Sequence, residues 1–164
     1  MKLPIILFFI SFQFMCTTQV LAQNKNDKKT NKLVKPYHPE DNADTKINAL
    51  LVRAKKENKN VILQAGGNWC VWCLRFDDFR KRDKAVRDNL AKNYLYYHLN
   101  YSTENKNPEV FAKYAPEGNK LGYPFFIILD KNGNVLKLQE SGSFENGITY
   151  DSQKVIDFLN NYKN

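Results

Sequence analysis

The stretch that decides the fold is VILQAGGNWCVWC, residues 61–73, where an apolar run passes through two glycines into a pair of cysteines. Residues 60–67 have the length and composition of a short buried strand that ends at glycine. The next segment, residues 70–93, predicts a helix that begins at the cysteines and is broken or bent near residues 82–84. A strand that leads directly into Cys-x-x-Cys at a helix start favours a redox pair.

Cys70 and Cys73 occupy positions that suit disulfide exchange. At the first turn of a helix, unpaired backbone N–H groups and the helix dipole favour a negative charge, so the thiol of Cys70 should ionise more readily than a free thiol. Cys73 lies three residues further on, on the same helical face. It is therefore close enough to attack a partner that Cys70 has captured, which makes a two-step exchange.

Two other interpretations of the cysteine pair remain open, a metal site and an inert structural disulfide. A structural zinc site needs four ligands, and the histidines of the chain are His38 and His98. A c-type haem would need histidine directly after the second cysteine, where the chain has Leu74. A disulfide that closes so short a loop constrains the unfolded chain little. The redox pair is therefore favoured, with no bound metal or organic cofactor.

The segments around this stretch alternate between helix and strand. Amphipathic or short helices are predicted for residues 45–59, 107–116 and 152–163, and β-rich runs for residues 94–102 and 123–141. Within the last run, Asn132-Gly133 predicts a tight hairpin turn. The alternation and the final hairpin predict an α/β fold with a central mixed β-sheet flanked by helices on both faces.

The N-terminal residues predict export to the periplasm. Residues 1–22 combine one lysine, an apolar run from Leu3 to Met15 and small residues before position 23, which is typical of a cleaved secretory signal peptide. An uncleaved anchor is the alternative, although the apolar run is shorter than the roughly 20 residues of a spanning helix. Residues 23–43 are polar and lysine-rich, so we expect a flexible arm. The folded domain is predicted to span residues 44–164.

Charge and residue usage limit the classes of function. Without Lys2, residues 23–164 hold 24 basic and 17 acidic residues, but the basic residues are scattered, so we expect no nucleic-acid binding. Cys16 is lost with the signal peptide, which leaves two cysteines in a compartment where disulfides persist. Residues 23–164 contain no methionine, so a Cu(I)-binding module is a minor alternative.

Three features in chain order resemble the thioredoxin-like superfamily. Residues 61–73 look like its first buried strand running into Trp-Cys-x-x-Cys. GYPFFIILDKNGNV (122–135) looks like its cis-proline strand and hairpin. An amphipathic helix then ends this chain, as it ends the family's fold. The likeness covers residues 46–163, approximately the whole domain. The lead-in AKKENKNVIL (54–63) is most similar to exported bacterial thioredoxin-like proteins, such as the DsbD C-terminal domain and DsbH-type reductases.

The resemblance implies roles for the residues that match the family's motifs. Cys70 is the attacking thiolate and Cys73 the resolving thiol. Pro124 is the cis-proline that faces them, and the backbone of Tyr123 pairs with an extended substrate segment. The flanking tryptophans, Trp69 and Trp72, are candidate substrate contacts, and Trp69 is expected to be a packed rim residue. Trp72 is either an exposed contact for substrates or lies across the domain surface.

Two positions depart from the family's pattern. Where thioredoxins carry a buried acid six residues before the first cysteine, this chain has Gln64, which cannot take a proton. His98 falls where thioredoxins have a lysine near that acid, and imidazole titrates near neutral pH. We therefore state the hypothesis that His98 assists proton transfer at Cys73. The alternative is a hydrogen-bonded structural histidine between sheet and helix.

The residues and the resemblance together predict an exported thiol-disulfide oxidoreductase that reduces protein or peptide disulfides. The resemblance implies that a membrane electron donor of the DsbD type supplies the protein with electrons. A disulfide oxidase and an isomerase are the alternatives within the same chemistry. No dimerisation segment is recognisable, so a monomer is expected, and an isomerase is less favoured than a reductase.

Overall fold

The computed structural model describes residues 32–164. The predicted signal peptide (1–22) and the first part of the predicted arm (23–31) lie outside the described residues. The helices of residues 32–164 are α1 (Ala43–Glu57), α2 (Val71–Arg82), α3 (Lys84–Asn93), α4 (Pro108–Tyr114) and α5 (Ser152–Asn161). The strands are β1 (Asn60–Gly66), β2 (Tyr94–Asn100), β3 (Phe125–Leu129), β4 (Val135–Glu140), β5 (Glu145–Asn146) and β6 (Thr149–Tyr150). In this part of the chain no helix has the length and apolar character of a membrane span.

Strands β1 to β4 form a mixed sheet in the order β2-β1-β3-β4. β1 and β2 are parallel, and the α2–α3 segment makes the crossover between them. β3 pairs antiparallel with both β1 and β4. The predicted α/β order, a parallel crossover followed by an antiparallel hairpin, is confirmed. The small β5–β6 hairpin was not predicted, because strands of two residues carry no periodic signal.

Apolar side chains of the central strand β1 alternate between the two faces of the sheet, as the period of a strand requires. Val61, Leu63 and Ala65 pack in one core with residues of α1 and α4. Ile62 packs in a second core with residues of α2, α3 and α5. Helices therefore cover both faces, as predicted. Gln64 lies on the same side of the strand as Ile62, with its side chain fully buried.

The residues just before α1 pack on the domain. α1 begins at Ala43, one residue before the predicted domain boundary. Tyr37 lies in the stretch expected to be a flexible arm, yet it is 2% exposed. Its backbone N–H donates to Oδ1 of Asn68 at 3.1 Å, and Nδ2 of Asn68 donates to the Tyr37 carbonyl at 2.8 Å. The described part of the expected arm is therefore attached to the domain at Tyr37.

Asp83 makes the break between α2 and α3 that the sequence placed near residues 82–84. Its backbone N–H donates to the carbonyl of Phe79 at 2.8 Å and closes α2. Its carboxylate accepts from the backbone N–H of Val86 at 3.0 Å and caps α3. One residue therefore ends one helix and begins the next.

The hairpin between β3 and β4 is wider than the tight turn predicted at Asn132-Gly133. Five residues, 130–134, separate the strands. Asp130 organises them, because its Oδ1 accepts from the backbone N–H groups of Asn132 at 2.8 Å and Asn134 at 2.9 Å. Gly133 has a φ of 90°, which favours glycine at that position.

Candidate active site

Cys70 and Cys73 form a disulfide at the start of α2, with 5.2 Å between their Cα atoms. Cys70 is the N-cap residue of the helix, and its sulfur accepts from the backbone N–H of Cys73 at 3.1 Å. Cys70 is 6% exposed, whereas Cys73 is fully buried. Of the two sulfurs, Cys70 is therefore the one that a large substrate can reach.

Tyr123 and Pro124 lie opposite Cys70, immediately before β3. The peptide bond between them is cis. The carbonyl oxygen of Tyr123 is 3.6 Å from the sulfur of Cys70. The turn that precedes β3 therefore brings a backbone acceptor to the cysteine that begins α2, although the two residues are 53 positions apart.

Trp69 is 59% exposed, which differs from the packed rim position expected for it. Its indole N–H donates to the carbonyl of Tyr101 at 2.7 Å. The ring also meets Tyr123 edge to face, with 5.5 Å between centroids. The indole is fixed by these contacts along one edge, while most of its surface faces solvent beside Cys70.

Trp72 lies across the domain surface, which is the second of the two positions expected for it. Its ring meets Tyr150 edge to face at 5.7 Å, and the guanidinium of Arg75 lies 4.7 Å from the ring centroid. The Tyr150 hydroxyl also donates to the Trp72 carbonyl at 3.1 Å. Trp72 therefore joins α2 to the β5–β6 hairpin and offers less free surface than Trp69.

His98 belongs to β2, and its side chain reaches α2, where Nε2 is 3.0 Å from Oδ1 of Asp77. Its ring packs edge to face on Tyr37 and Tyr96, at 5.0 and 5.3 Å between centroids. Among residues 32–164 no hydrogen bond joins His98 to Cys73. The contacts of His98 are those of the structural alternative, a hydrogen-bonded histidine between sheet and helix.

The pKa values of Asp77 and His98 are both lowered, for different reasons. Burial opposes the charge of Asp77, but hydrogen bonds from His98 and Lys81 and the charge of Arg80 outweigh it and hold the pKa of Asp77 well below its usual value. Burial lowers the pKa of His98, and the hydrogen bond to Asp77 offsets only part of that effect. His98 is therefore neutral at neutral pH and donates its Nε2 proton to the carboxylate.

Gln64 lies beneath the disulfide and connects three groups. Its Nε2 donates to the Tyr37 hydroxyl at 2.7 Å and to the Cys73 carbonyl at 3.0 Å. Its Oε1 accepts from the Tyr96 hydroxyl at 2.5 Å. The place of the family's buried acid is thus filled by an amide whose two ends are both hydrogen-bonded.

A sequence model of the thioredoxin-like family matches residues 42–131, a range that holds both cysteines and the cis Tyr123–Pro124 bond. The chain belongs to the thioredoxin-like family.

Two solved structures have the same thioredoxin-like fold. The crystal structure of a disulphide isomerase from Xylella fastidiosa Temecula1 is 23% identical, with a TM-score of 0.68, and covers 79% of this chain and 98% of its own. A structure described as a DsbH oxidoreductase is 20% identical, with a TM-score of 0.50, and covers 68% of this chain and 77% of its own. No curated protein matches the sequence significantly. At these identities the likeness shows the fold alone.

A thioredoxin-like fold that carries a Cys-x-x-Cys disulfide at a helix start supports thiol–disulfide redox chemistry at Cys70 and Cys73. Within residues 32–164 no three His, Cys, Asp or Glu side chains are arranged to hold a metal ion.

Tyr37 is the site residue that sequence reasoning missed. It packs against Cys70 and Cys73 in a small buried cluster, although it precedes the matched range of the thioredoxin-like family. A signal was present in PYHPE, residues 36–40, where an aromatic residue flanked by prolines interrupts an otherwise polar stretch. The polar composition of residues 23–43 outweighed that signal.

An open groove of about 550 Å³ lies beside Trp69. Its walls include Tyr101 and Thr103 from the segment after β2, and Lys35, Lys106 and Glu104 bring charges of both signs. The exposed ring of Trp69 therefore lies next to both the groove and Cys70.

Proposed function

We propose that this thioredoxin-like protein is an exported thiol-disulfide oxidoreductase that reduces protein disulfides through a mixed disulfide on Cys70. The observation that carries the proposal is the arrangement at the start of α2. The sulfur of Cys70 is reached from the surface and receives the backbone N–H of Cys73, while the Cys73 sulfur is buried directly behind it. That order of access supports attack by Cys70 and resolution by Cys73.

The exchange balances as two displacements. In the reduced protein the Cys70 thiolate attacks a substrate disulfide, so that a Cys70–substrate disulfide forms and one substrate thiolate leaves. Cys73 then loses its proton and attacks the Cys70 sulfur, which releases the second substrate thiolate and forms the Cys70–Cys73 disulfide. Two electrons pass from the protein to the substrate, and the two substrate thiolates take up protons in place of those that Cys70 and Cys73 gave to solvent.

The proposed substrate site combines a backbone strip with an aromatic platform. The backbone of Tyr123, next to the cis bond to Pro124, would pair with an extended substrate segment as an added strand. Trp69 and the groove beside it would receive the neighbouring substrate residues. Trp72, half-buried against Tyr150, would contribute less to this surface than Trp69.

The reducing direction is supported by the kind of polar groups that contact the Cys70 sulfur. Strong stabilisation of the thiolate makes such a pair an oxidant, and weaker stabilisation makes it a reductant. Among residues 32–164, the polar contacts of this sulfur are the backbone N–H of Cys73 and the carbonyl of Tyr123, and neither is cationic. We therefore favour a reductase over an oxidase or isomerase. The signal-peptide pattern of residues 1–22 supports a periplasmic location, where a membrane electron donor of the DsbD type would be needed to reduce the pair.

The equilibrium reduction potential of the Cys70–Cys73 pair tests the direction. Reduced and oxidised protein would be equilibrated in glutathione buffers, with tryptophan fluorescence as the readout. A value near −270 mV is expected for a reductant, whereas a value near −120 mV would show an oxidant and overturn the proposed direction. Insulin reduction tests the chemistry: Cys70→Ser should abolish it, and Cys73→Ser should accumulate mixed disulfides. Full activity in Cys70→Ser would contradict the mechanism.

A further inference from the structure

The Tyr37 hydroxyl and the Cys73 sulfur both face Gly66, at the end of β1. A Cβ added to Gly66 would overlap the Cys73 sulfur and stand 2.9 Å from the Tyr37 oxygen. Both side chains are almost fully buried, at 2% and 0% exposed. The hydroxyl is thus a buried polar group near one of the two reacting atoms, in a cluster that Tyr37 shares with both cysteines.

Hydrogen-bond chemistry fixes the orientation of the Gln64 amide beneath them. The carbonyl of Cys73 can only accept, so the Gln64 atom 3.0 Å from it is the donor Nε2. The same Nε2 is 2.7 Å from the Tyr37 oxygen. Because an amide nitrogen only donates, the Tyr37 oxygen accepts in that bond, and its own proton is left for another acceptor.

That proton has no oxygen or nitrogen acceptor within the described chain. Among residues 32–164, the hydrogen bonds of the Tyr37 side chain consist of the one from Gln64. Burial raises the pKa of Tyr37 well above its ordinary value, so the hydroxyl stays protonated in the working pH range. A buried hydroxyl with an unused proton is costly unless it finds a partner. The neighbouring Cys73 sulfur is a weak acceptor in the disulfide and a strong one as a thiolate.

We propose that Tyr37 donates a hydrogen bond to the Cys73 thiolate and so promotes the step in which Cys73 resolves the mixed disulfide. This inference rests on the proposed function. In that step the Cys73 thiol gives up its proton to water or to the substrate thiolate released in the first displacement. The hydroxyl stabilises the sulfur anion until it attacks Cys70 and displaces the second substrate thiolate. Tyr37 keeps its own proton throughout. A tyrosine from the segment before α1 thereby assists Cys73 by hydrogen bonding, whereas an acid at the position of Gln64 would take up the proton.

The position of Tyr37 is built into the fold. Asn68 holds its backbone with two hydrogen bonds and lies two residues before Cys70, in the loop that carries the redox pair. The ring also meets His98 edge to face. The hydroxyl is therefore fixed with respect to the cysteines from both sides.

Other titratable and charged groups around Tyr37 and Cys73 set the background of the pH profile. From α2 they are Asp77 and its ion-pair partners Arg80 and Lys81, with Cys70 at the start of the helix. From the strands and the turn before β3 they are Tyr96, His98, Tyr123 and Tyr150. The carboxylate of Asp77 is ionised, and His98 beside it is neutral at neutral pH. Variants of Tyr37 must therefore be compared in the same background.

Rapid mixing of the reduced protein with dithiobis(nitrobenzoate) separates the two steps. The first release of coloured thiolate reports attack by Cys70 and depends on reagent concentration. The second release reports resolution by Cys73 and does not. Loss of the first phase would be a failure of the proposed function, whereas a change confined to the second phase concerns Tyr37.

Tyr37→Phe should move the midpoint of the second phase upward by about one pH unit, since hydrogen bonds to charged groups are worth at least a tenfold change in equilibrium. Below the midpoint the thiolate fraction should fall by about tenfold. Because a more basic thiolate is also more nucleophilic, the rate should fall by only about threefold. Above the midpoint the same variant should be faster, so the two profiles cross. Asn68→Ala, which loosens the backbone of Tyr37, should give a smaller shift in the same direction.

Tyr94→Phe is the matched control, because its buried hydroxyl donates to the Leu159 carbonyl, far from the disulfide. It should lower thermal stability and leave the second-phase profile unchanged. Coincident profiles for Tyr37→Phe and the unmodified protein, both folded by circular dichroism, would overturn the proposal.

Discussion

The backbone N–H of Cys73 donates to the sulfur of Cys70 across 3.1 Å, and Cys70 caps the helix that Cys73 belongs to. The first cysteine therefore takes the place that serine or aspartate occupies at many helix starts. A thiolate fills this position better than a thiol, because the free N–H groups of the first turn carry partial positive charge.

Alkylation of Cys70 in the Cys73→Ser variant should reflect this arrangement. We expect the rate of reaction with iodoacetamide to reach half its maximum below pH 8.5, the ordinary value for a free cysteine. The variant retains the backbone N–H at position 73, so the donor is preserved. In guanidinium chloride the midpoint should return to about 8.5. An unchanged midpoint in the folded protein would show that the helix start does not activate Cys70.

Trp69 and Trp72 provide a matched pair for testing the substrate surface. Trp69→Ala should raise KM for a protein disulfide by about tenfold, the typical effect of removing an exposed aromatic anchor, and should leave exchange with dithiobis(nitrobenzoate) unchanged. Trp72→Ala should instead lower the free energy of unfolding, because Trp72 packs on Tyr150. Equal KM values for Trp69→Ala and the unmodified protein would remove Trp69 from the substrate site.

His98 should make stability depend on pH near neutrality. Burial lowers its pKa in the folded protein, whereas the unfolded chain titrates near 6.5, so the unfolded state binds more protons as pH falls below 6.5. We expect the free energy of unfolding to decrease from pH 7.5 to pH 5. His98→Gln keeps a donor for Asp77 and should flatten that decrease. Urea titrations across this range measure it, and parallel curves for both proteins would contradict the assignment.

The same variant tests the proton-transfer hypothesis for His98. If His98 only joins β2 to α2 through Asp77, exchange rates and their pH profile in His98→Gln should match those of the unmodified protein. A slower second phase with dithiobis(nitrobenzoate) would support proton transfer at Cys73. The effect would then have to be separated from that of Tyr37, which packs on the same imidazole.

The sequence predicted the sheet and the cysteine pair because both depend on local signals. The run before Gly66 alternates between two buried faces, and Asp83 combines a helix stop with a helix start within one residue. Trp69 was misplaced for a different reason. Its indole is held along one edge by a hydrogen bond to Tyr101, which lies 32 residues away and gives no signal in the local pattern.

Tyr37 was missed because its burial is decided by Gln64 and Asn68, which lie far along the chain. Composition alone describes its surroundings as polar and flexible. The replacement of an acid by Gln64 was visible in the sequence, but the group that compensates for it was not. Tertiary contacts across 27 and 31 residues determine that part of the site.

Gly66→Ala would test how tightly Tyr37, Cys73 and β1 are packed together. The added methyl group would overlap the Cys73 sulfur and approach the Tyr37 oxygen, and neither side chain has free space to move into. We expect a loss of about 1–3 kcal/mol in the free energy of unfolding, the usual cost of overpacking a buried site. Gly142→Ala is the control, because its methyl group would approach the carboxylate end of Glu140, which can rotate away. Equal stabilities of the two variants would show that Tyr37 and Cys73 are not tightly packed around Gly66.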